Sequence, residues 1–178
     1  MKIGIITDVH NNVIALNSML AVFEEEGCDE IICCGDIIGI GPFPEETVQR
    51  IKSLPNIRCV LGNHEKYLIH GIKKPYPSKM SEDEALHHKW EHSLLSYDSK
   101  KYIEELPYIL NLSIEGVNIA VVHYSISKDN RYINFKANPN SADCENMFSN
   151  IKADVILYGH DHNGSIVYSD DKNNCIKL

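Results

Sequence analysis

Five short polar motifs along this 178-residue chain each follow directly on an apolar run. Short, nearly all-apolar runs such as residues 3–7 are typical of strands that are covered on both faces. Segments with helical apolar spacing separate the first three runs, and this alternation indicates right-handed parallel crossovers. The chain is therefore predicted to be an α/β protein with its polar motifs at strand ends: Asp8-Val9-His10, Gly35-Asp36, Gly62-Asn63-His64-Glu65, His123 and Gly159-His160-Asp161-His162.

Predicted elements fill most of the chain. Strands are expected at residues 3–7, 30–34, 57–61, 108–113, 117–122 and 154–158, and a last hairpin at 165–178 that turns at 170–174. Helices are expected after Asn11 or Asn12, from Pro44, from a capping box at Ser81 to Leu95, at 98–106 and at 141–151. Residues 71–80 and 124–140 are predicted loops. Because no linker divides the chain, we expect one domain over residues 1–178, with a helical segment over 71–106 beside the active-site cleft.

Composition and charge restrict the classes of function that the chain could have. The hydrophobic fraction of 43% and the charged fraction of 24% are ordinary for a globular domain. The formal net charge of −8 argues against the broad basic surface that nucleic-acid binding needs, but not against a phosphate pocket. Six cysteines without Cys-x-x-Cys spacing predict reduced thiols and a cytoplasmic location. No apolar run approaches a membrane span, and the N-terminal segment is too short for a signal peptide.

The motifs carry oxygen and nitrogen donors that suit borderline divalent metal ions. In an extended segment Asp8 and His10 would share a face and chelate one ion, and the same geometry would serve His160 and His162. Each motif alone has an ordinary explanation, as a cap, a turn residue or a core histidine. Their joint placement favours a metal site, because ligands of open α/β sheets gather outside the carboxyl ends of the strands. The predicted ligands are Asp8, His10, Asp36, Asn63, His123, His160 and His162.

In order, these motifs resemble those of the calcineurin-like metallophosphoesterases, and Gly39-Ile40-Gly41-Pro42 is similar to the small bacterial and archaeal phosphodiesterase branch. The resemblance spans residues 3–162 and implies a four-layer α/β/β/α sandwich of two mixed sheets. It also implies two divalent metal ions (Mn, with Fe, Zn or Ni as alternatives) that share Asp36. One ion would be bound by Asp8, His10, Asp36 and His162, and the other by Asp36, Asn63, His123 and His160.

The resemblance also implies a reaction. A hydroxide that bridges the two ions would attack phosphorus, and His64, which binds no metal, would protonate the leaving oxygen. The expected substrates are small phosphodiesters or phosphomonoesters. Many relatives carry Asp where this chain has Glu65, which is expected to orient His64 or to support its loop. Similar chains often continue through an Asn-Pro-Gly-Ser segment, whereas this one stops inside a predicted strand, so truncation at the C-terminus is one expectation.

Several alternatives stay open. A scaffold of the same fold would bind a partner protein without catalysis, and a nuclease would use the same chemistry, although the acidic chain makes nucleic acid an unexpected partner. Arg131 is the best candidate for a phosphate clamp, but a solvated loop residue is the commoner explanation. His87, His88 and His92 suggest a third metal site, but helix packing is favoured because no carboxylate pattern completes it. The sequence names neither the substrate nor the native metal, and it leaves a homo-oligomer possible.

Overall fold

The structure, a computed structural model, describes residues 1–77, 80–133, 135–168 and 174–177. Within these ranges it contains eight strands and six helices. The strands are β1 (Ile3–Ile6), β2 (Glu30–Cys33), β3 (Ile57–Cys59), β4 (Ile109–Ile114), β5 (Val117–Val122), β6 (Val155–Tyr158), β7 (Ser165–Tyr168) and β8 (Asn174–Lys177). The helices are α1 (Val13–Glu25), α2 (Pro44–Lys52), α3 (Asn63–His70), α4 (Glu82–Leu94), α5 (Tyr97–Glu104) and α6 (Ser141–Met147).

The strands form two sheets. The first has the order β1-β2-β3, and both of its pairings are parallel, with α1 and α2 as the crossovers. The second has the order β4-β5-β6-β8-β7. In it β5, β6 and β8 run parallel, while β4 and β7 pair antiparallel at the two edges. The predicted two-sheet α/β fold is confirmed. The expectation that both sheets are mixed is correct only for the second sheet, because both pairings of the first sheet are parallel.

Residues of β2 alternate between two cores, because successive side chains of a strand point to opposite faces. Ile31 and Cys33 pack on the helical side, in a cluster with residues of α1 and α2. Between them, Ile32 faces the second sheet and packs with Leu112, Val121 and Leu157. A third core lies between α6 and the outer face of the second sheet. Three cores separate four layers, which confirms the α/β/β/α sandwich.

Most predicted elements occur within a few residues of their expected bounds, and α3 is the main one that the sequence analysis missed. It begins at Asn63, so Asn63 and His64 lie in the first turn of a helix. The Ser81 hydroxyl accepts a hydrogen bond from the Glu84 backbone at 3.0 Å, which caps α4 as predicted. Of the turn predicted at 170–174, residues 170–173 lie outside the described residues. Among the described residues, no helix is long and apolar enough to cross a membrane.

Candidate metal centre

Five strands deliver the polar motifs to one edge of the sandwich: β1, β2 and β3 of the first sheet, and β5 and β6 of the second. Glycines allow these strand ends to approach closely. A Cβ atom at Gly159 would lie 1.9 Å from Thr7 Oγ1, and one at Gly62 would lie 2.1 Å from Asp36 Oδ1. Only glycine fits such approaches. The two sheets therefore bring residues from distant parts of the chain into one cluster.

Five of the seven predicted ligands have left-handed backbone: Asp8 (φ 50°), His10 (φ 48°), Asp36 (φ 53°), His160 (φ 77°) and His162 (φ 51°). This conformation costs about 1–2 kcal/mol for each residue with a side chain, and such strain concentrates at functional sites. The prediction that Asp8 and His10 share a face because they lie in an extended segment is therefore wrong, and so is the same prediction for His160 and His162. The chain leaves the strand conformation before Asp8, and turning backbone directs the side chains.

The donors form two groups. In the first, His162 Nε2 lies 3.3 Å from Asp8 Oδ1 and 3.1 Å from His10 Nε2. In the second, His123 Nε2 lies 3.2 Å from Asp36 Oδ2 and 3.3 Å from His160 Nδ1. The Asn63 amide oxygen joins the second group, at 3.0 Å from His123 Nε2. Since His160 and His162 belong to different groups, the expectation that they chelate one ion together is wrong.

Asp36 lies between the two groups. Its Oδ2 atom is 3.2 Å from His123 Nε2 and 4.0 Å from His10 Nε2, and its side chain is only 2% exposed. The same oxygen is 3.8 Å from His64 Nε2. All seven predicted ligands and His64 are thus brought to one cluster. His64 Nε2 lies as close to Asp36 Oδ2 as the proposed ligand His10 does. That His64 binds no metal ion therefore stays a prediction.

The donor set fits divalent metal ions. Ligand atoms at about 2.1 Å from one ion are about 3.0–3.4 Å apart, which is close to the separations within each group. His10 Nδ1 lies 3.2 Å from the Ile38 carbonyl, and His123 Nδ1 lies 2.9 Å from the Cys34 carbonyl. A ring that donates its Nδ1–H in this way keeps the Nε2 lone pair for a metal ion. Carboxylate, amide and imidazole donors together suit borderline metals.

Charged groups in the cluster shift one another's pKa values. Burial disfavours the Asp36 carboxylate, but His123 and His64 outweigh burial and hold the pKa of Asp36 well below its usual range. Burial would lower the pKa of His123, but the attraction of Asp36 raises it to about 9. Burial and the neighbouring His123 lower the pKa of His160 to about 4. At neutral pH the His123 ring is therefore protonated, and a metal ion that bound to it would have to displace this proton.

Glu65 supports the loops that carry the donors. Its carboxylate is fully buried and accepts hydrogen bonds from the backbone N–H groups of Gly62 (2.7 Å), Asp36 (3.0 Å) and Ile38 (2.9 Å). Three amide donors satisfy a carboxylate that would otherwise be costly to bury. This pattern corresponds to loop support, one of the two roles expected from the sequence.

Glu91 on α4 contacts the site but was not predicted from the sequence. This carboxylate is fully buried and accepts hydrogen bonds from Gly39 N at 3.0 Å and from His88 Nδ1 at 2.6 Å. The expectation that no carboxylate accompanies His88 and His92 is wrong, because Glu91 Oε1 also lies 3.6 Å from His92 Nε2. The i, i+3 spacing of His88 and Glu91 on a helix was the available signal. Arg131, the candidate phosphate clamp, is exposed and pairs with Asp129 at 2.9 Å.

A sandwich with such a cluster of Asp and His donors at one edge is of the metallophosphoesterase type. Residues 1–174 match the family model described as the calcineurin-like phosphoesterase superfamily domain. The chain belongs to this superfamily.

The chain is also similar to one curated protein and to solved structures. An uncharacterized protein of Methanocaldococcus jannaschii is 30% identical over 158 residues, which cover 88% of this chain and 58% of that protein. This chain thus spans less than two thirds of the length of that curated relative. The crystal structure of a metallophosphoesterase from Sphaerobacter thermophilus has a TM-score of 0.70 at 25% identity, over 99% of this chain and 75% of that one. A hypothetical protein from Pyrococcus horikoshii has a TM-score of 0.79 at 16% identity, over 98% and 75%, and shows the fold alone.

Proposed function

We propose that this chain is a metal-dependent phosphoesterase that hydrolyses small phosphodiesters or phosphomonoesters with two divalent metal ions, Mn²⁺ being the first candidate. Membership of the superfamily supports the class of reaction. The observation that carries the dinuclear centre is the position of Asp36 Oδ2 between two donor groups. One ion would be bound by Asp8, His10, Asp36 and His162, and the other by Asp36, Asn63, His123 and His160.

The charge of the cluster supports a phosphate ester as substrate. Asp8 and Asp36 are the two carboxylates among the proposed ligands, and they offset only half the charge of two divalent ions. When bound, these ions supply positive charge for the phosphoryl oxygens and lower the pKa of a water molecule. The side chains themselves bind and orient the ions, and the close packing of the strand ends keeps the donors in place.

His64 is the proposed proton donor to the leaving oxygen. Its Nε2 atom faces Asp36 Oδ2 at 3.8 Å from the first turn of α3. Burial lowers the pKa of His64 to about 4 in the metal-free protein, so its ring is neutral at pH 7. A phosphate ester beside the ring would bring negative charge that opposes both burial and the positive charge of the two ions, and so favours the protonated form. Protonating a leaving oxygen in this way contributes about 10²–10⁴ to a rate.

We further propose that residues 1–178 act as one domain and that the segment 71–106 shapes substrate choice. Contacts of α4 with the cluster support this role. The ring of His88 lies 4.9 Å from that of His64, measured between centroids. Side chains of α4 are thus close enough to the proposed proton donor to influence which leaving groups fit.

The test is a metal-reconstitution assay. Metal-free protein would be loaded with Mn²⁺, Fe²⁺, Zn²⁺ or Ni²⁺, its bound metal counted by mass spectrometry, and its turnover of bis-p-nitrophenyl phosphate and p-nitrophenyl phosphate measured. We expect turnover that rises with occupancy towards two ions per chain. Asp83→Asn, which changes an exposed carboxylate on α4, is the matched control for Asp36→Asn. Full occupancy without turnover of any phosphate ester would refute the enzyme and favour a partner-binding scaffold.

A further inference from the structure

A single buried carboxylate on α4 joins two loops that carry proposed metal ligands. Glu91 Oε2 accepts hydrogen bonds from Gly39 N and from the side-chain amide of Asn11. Asn11 directly follows His10, and Gly39 is the third residue after Asp36. Both have positive φ, at 57° and 94°. Backbone hydrogen bonds from His10 N to Asp36 O (3.0 Å) and from Asn11 N to Ile37 O (2.9 Å) join the two loops to each other, and Glu91 adds the contact with α4. Glu91 is 80 residues from Asn11 and 52 from Gly39 in sequence, and it ties both loops to one helix.

The other carboxylate oxygen holds His88. His88 Nδ1 lies 2.6 Å from Glu91 Oε1, and both side chains are almost completely buried. The His88 ring packs against His64 with centroids 4.9 Å apart and against Tyr67 at 5.4 Å. Since Glu91 fixes one ring nitrogen of His88, it also fixes the surface that His88 presents to His64.

His64 depends on such packing for its orientation. Its Nδ1 atom is buried and has no hydrogen-bond partner among the described residues, whereas His10 and His123 each direct Nδ1 to a backbone carbonyl. A Cβ atom at Gly39 would lie 2.2 Å from His64 Nδ1, so the Gly39 backbone forms one wall of the ring. The His88 ring forms another wall. Glu91 makes hydrogen bonds with both walls, through Gly39 N and His88 Nδ1.

We propose that Glu91 is a positioning residue that holds His64 in the orientation needed to protonate the leaving oxygen. This inference rests on the proposed function of His64. A third metal ion at His88, Glu91 and His92 is the competing explanation. The Glu91–His88 contact of 2.6 Å is a hydrogen-bond distance, shorter than the separation of about 3.0 Å between two ligands of one ion. Glu91 Oε2 already accepts hydrogen bonds from Asn11 and Gly39, and Oε1 is engaged by His88 Nδ1.

Two substitutions separate positioning from folding. In Glu91→Gln the amide oxygen still accepts from Asn11 and Gly39, while the NH₂ group replaces the acceptor that faces His88. Glu91→Ala removes all three bonds. We expect kcat to fall about threefold to tenfold in Glu91→Gln and up to about a hundredfold in Glu91→Ala, the scale of a misplaced catalytic group. Metal content and KM should stay within about twofold of the wild-type values. Glu24→Gln, which changes an exposed carboxylate near the end of α1, is the control and should leave kcat unchanged.

A double-mutant cycle with His64→Ala is the deciding measurement. If Glu91 acts through His64, then adding Glu91→Gln or Glu91→Ala to His64→Ala should lower kcat by less than about twofold. The Glu91 variants should also lose more activity on a methyl phosphodiester than on bis-p-nitrophenyl phosphate, because p-nitrophenolate needs little protonation. Full additivity in the cycle, or equal losses on both substrates, would overturn the inference. So would the loss of one bound ion per chain in Glu91→Gln, which would favour the third metal site.

An NMR measurement distinguishes a failure of the proposed phosphoesterase function from a failure of the positioning role of Glu91. In zinc-loaded protein, which is diamagnetic, the ring resonances of His64 should shift in Glu91→Gln and stay in place in Glu24→Gln. If the wild type hydrolyses no phosphate ester, the proposed function fails, yet the His64 shifts still decide whether Glu91 positions that ring. Unshifted His64 resonances in an active enzyme would overturn the positioning role alone. If Glu91→Ala does not fold, the Glu91→Gln cycle gives the answer.

Discussion

Metal binding should become tighter as the pH rises from about 6.5 to about 8.5, because the metal has to displace a proton from His123. The pKa of that ring is raised to about 9 by Asp36, whereas an ordinary histidine has a pKa of 6.5. Below pH 9 each pH unit should therefore lower the apparent Kd about tenfold, or about a hundredfold over the interval. His160 adds nothing to this dependence, because its pKa of about 4 leaves it neutral throughout. A histidine with an ordinary pKa would give a flat profile above about pH 7.5.

The same proton affects the stability of the metal-free protein. A folded-state pKa of about 9 against 6.5 in the unfolded chain corresponds to about 3 kcal/mol of stability. This contribution is fully present below pH 6.5 and is lost as the pH rises through 9. Metal-free protein should therefore become easier to unfold with urea over this range, while the loaded protein should not.

The assay is calorimetric titration of metal-free protein with Mn²⁺ in buffers of different ionisation enthalpy, which counts the protons released. Close to one proton per chain is expected from His123 near pH 7.5. Because acidified water can release a proton as well, the pKa of His123 should also be measured by NMR in the metal-free protein. A His123 ring that titrates below about pH 7 would refute the reasoning.

Three further predictions concern single side chains. Asp36→Asn should lose metal and activity together, as measured by bound metal and turnover in the same samples, and retention of two ions would contradict the shared ligand. His64→Ala should keep its metal but lower kcat on a methyl phosphodiester by about 10²–10⁴, and loss of metal in this variant would refute its assigned role. Glu65→Gln should lower the free energy of unfolding by about 1–3 kcal/mol. Its amide oxygen could still accept from Asp36 N and Gly62 N, but its NH₂ group would then face the backbone N–H of Ile38. Denaturant titration beside the exposed Glu84→Gln would check this, and equal stabilities would contradict it.

The α/β class could be predicted because buried parallel strands leave a clear apolar signal, whereas the four-layer arrangement was implied only by the resemblance to the calcineurin-like metallophosphoesterases. The runs at 3–7 and 30–34 need burial on both faces, which only a covered sheet provides. The convergence of Asp8, Asp36 and His123 followed from the rule that parallel strands end at one edge. Helix α3 was missed because its sequence, Asn63–His70, begins inside a motif and has little apolar periodicity.

The details of the cluster could not be predicted, since they depend on backbone turns and contacts distant in sequence. The spacing of apolar residues cannot predict the left-handed backbone of Asp8 or His160. The directions of the donor side chains, and hence their division into two groups, depend on this backbone. The bonds of Glu91 to Asn11 and Gly39 cross 80 and 52 residues and involve a backbone N–H, which has no sequence signature. Assignment of roles to His64 likewise requires knowing which surfaces confine its ring.

The left-handed backbone at five proposed ligands lowers the stability of the fold while it directs the side chains for metal binding. Glycine would relax each of these turns and at the same time delete a donor. Directed evolution for heat resistance, if carried out under chelating conditions, would thus tend to erase the centre while improving the scaffold. Growth media and screening buffers for such a campaign should contain the divalent ion throughout, so that the gain in binding energy opposes this drift.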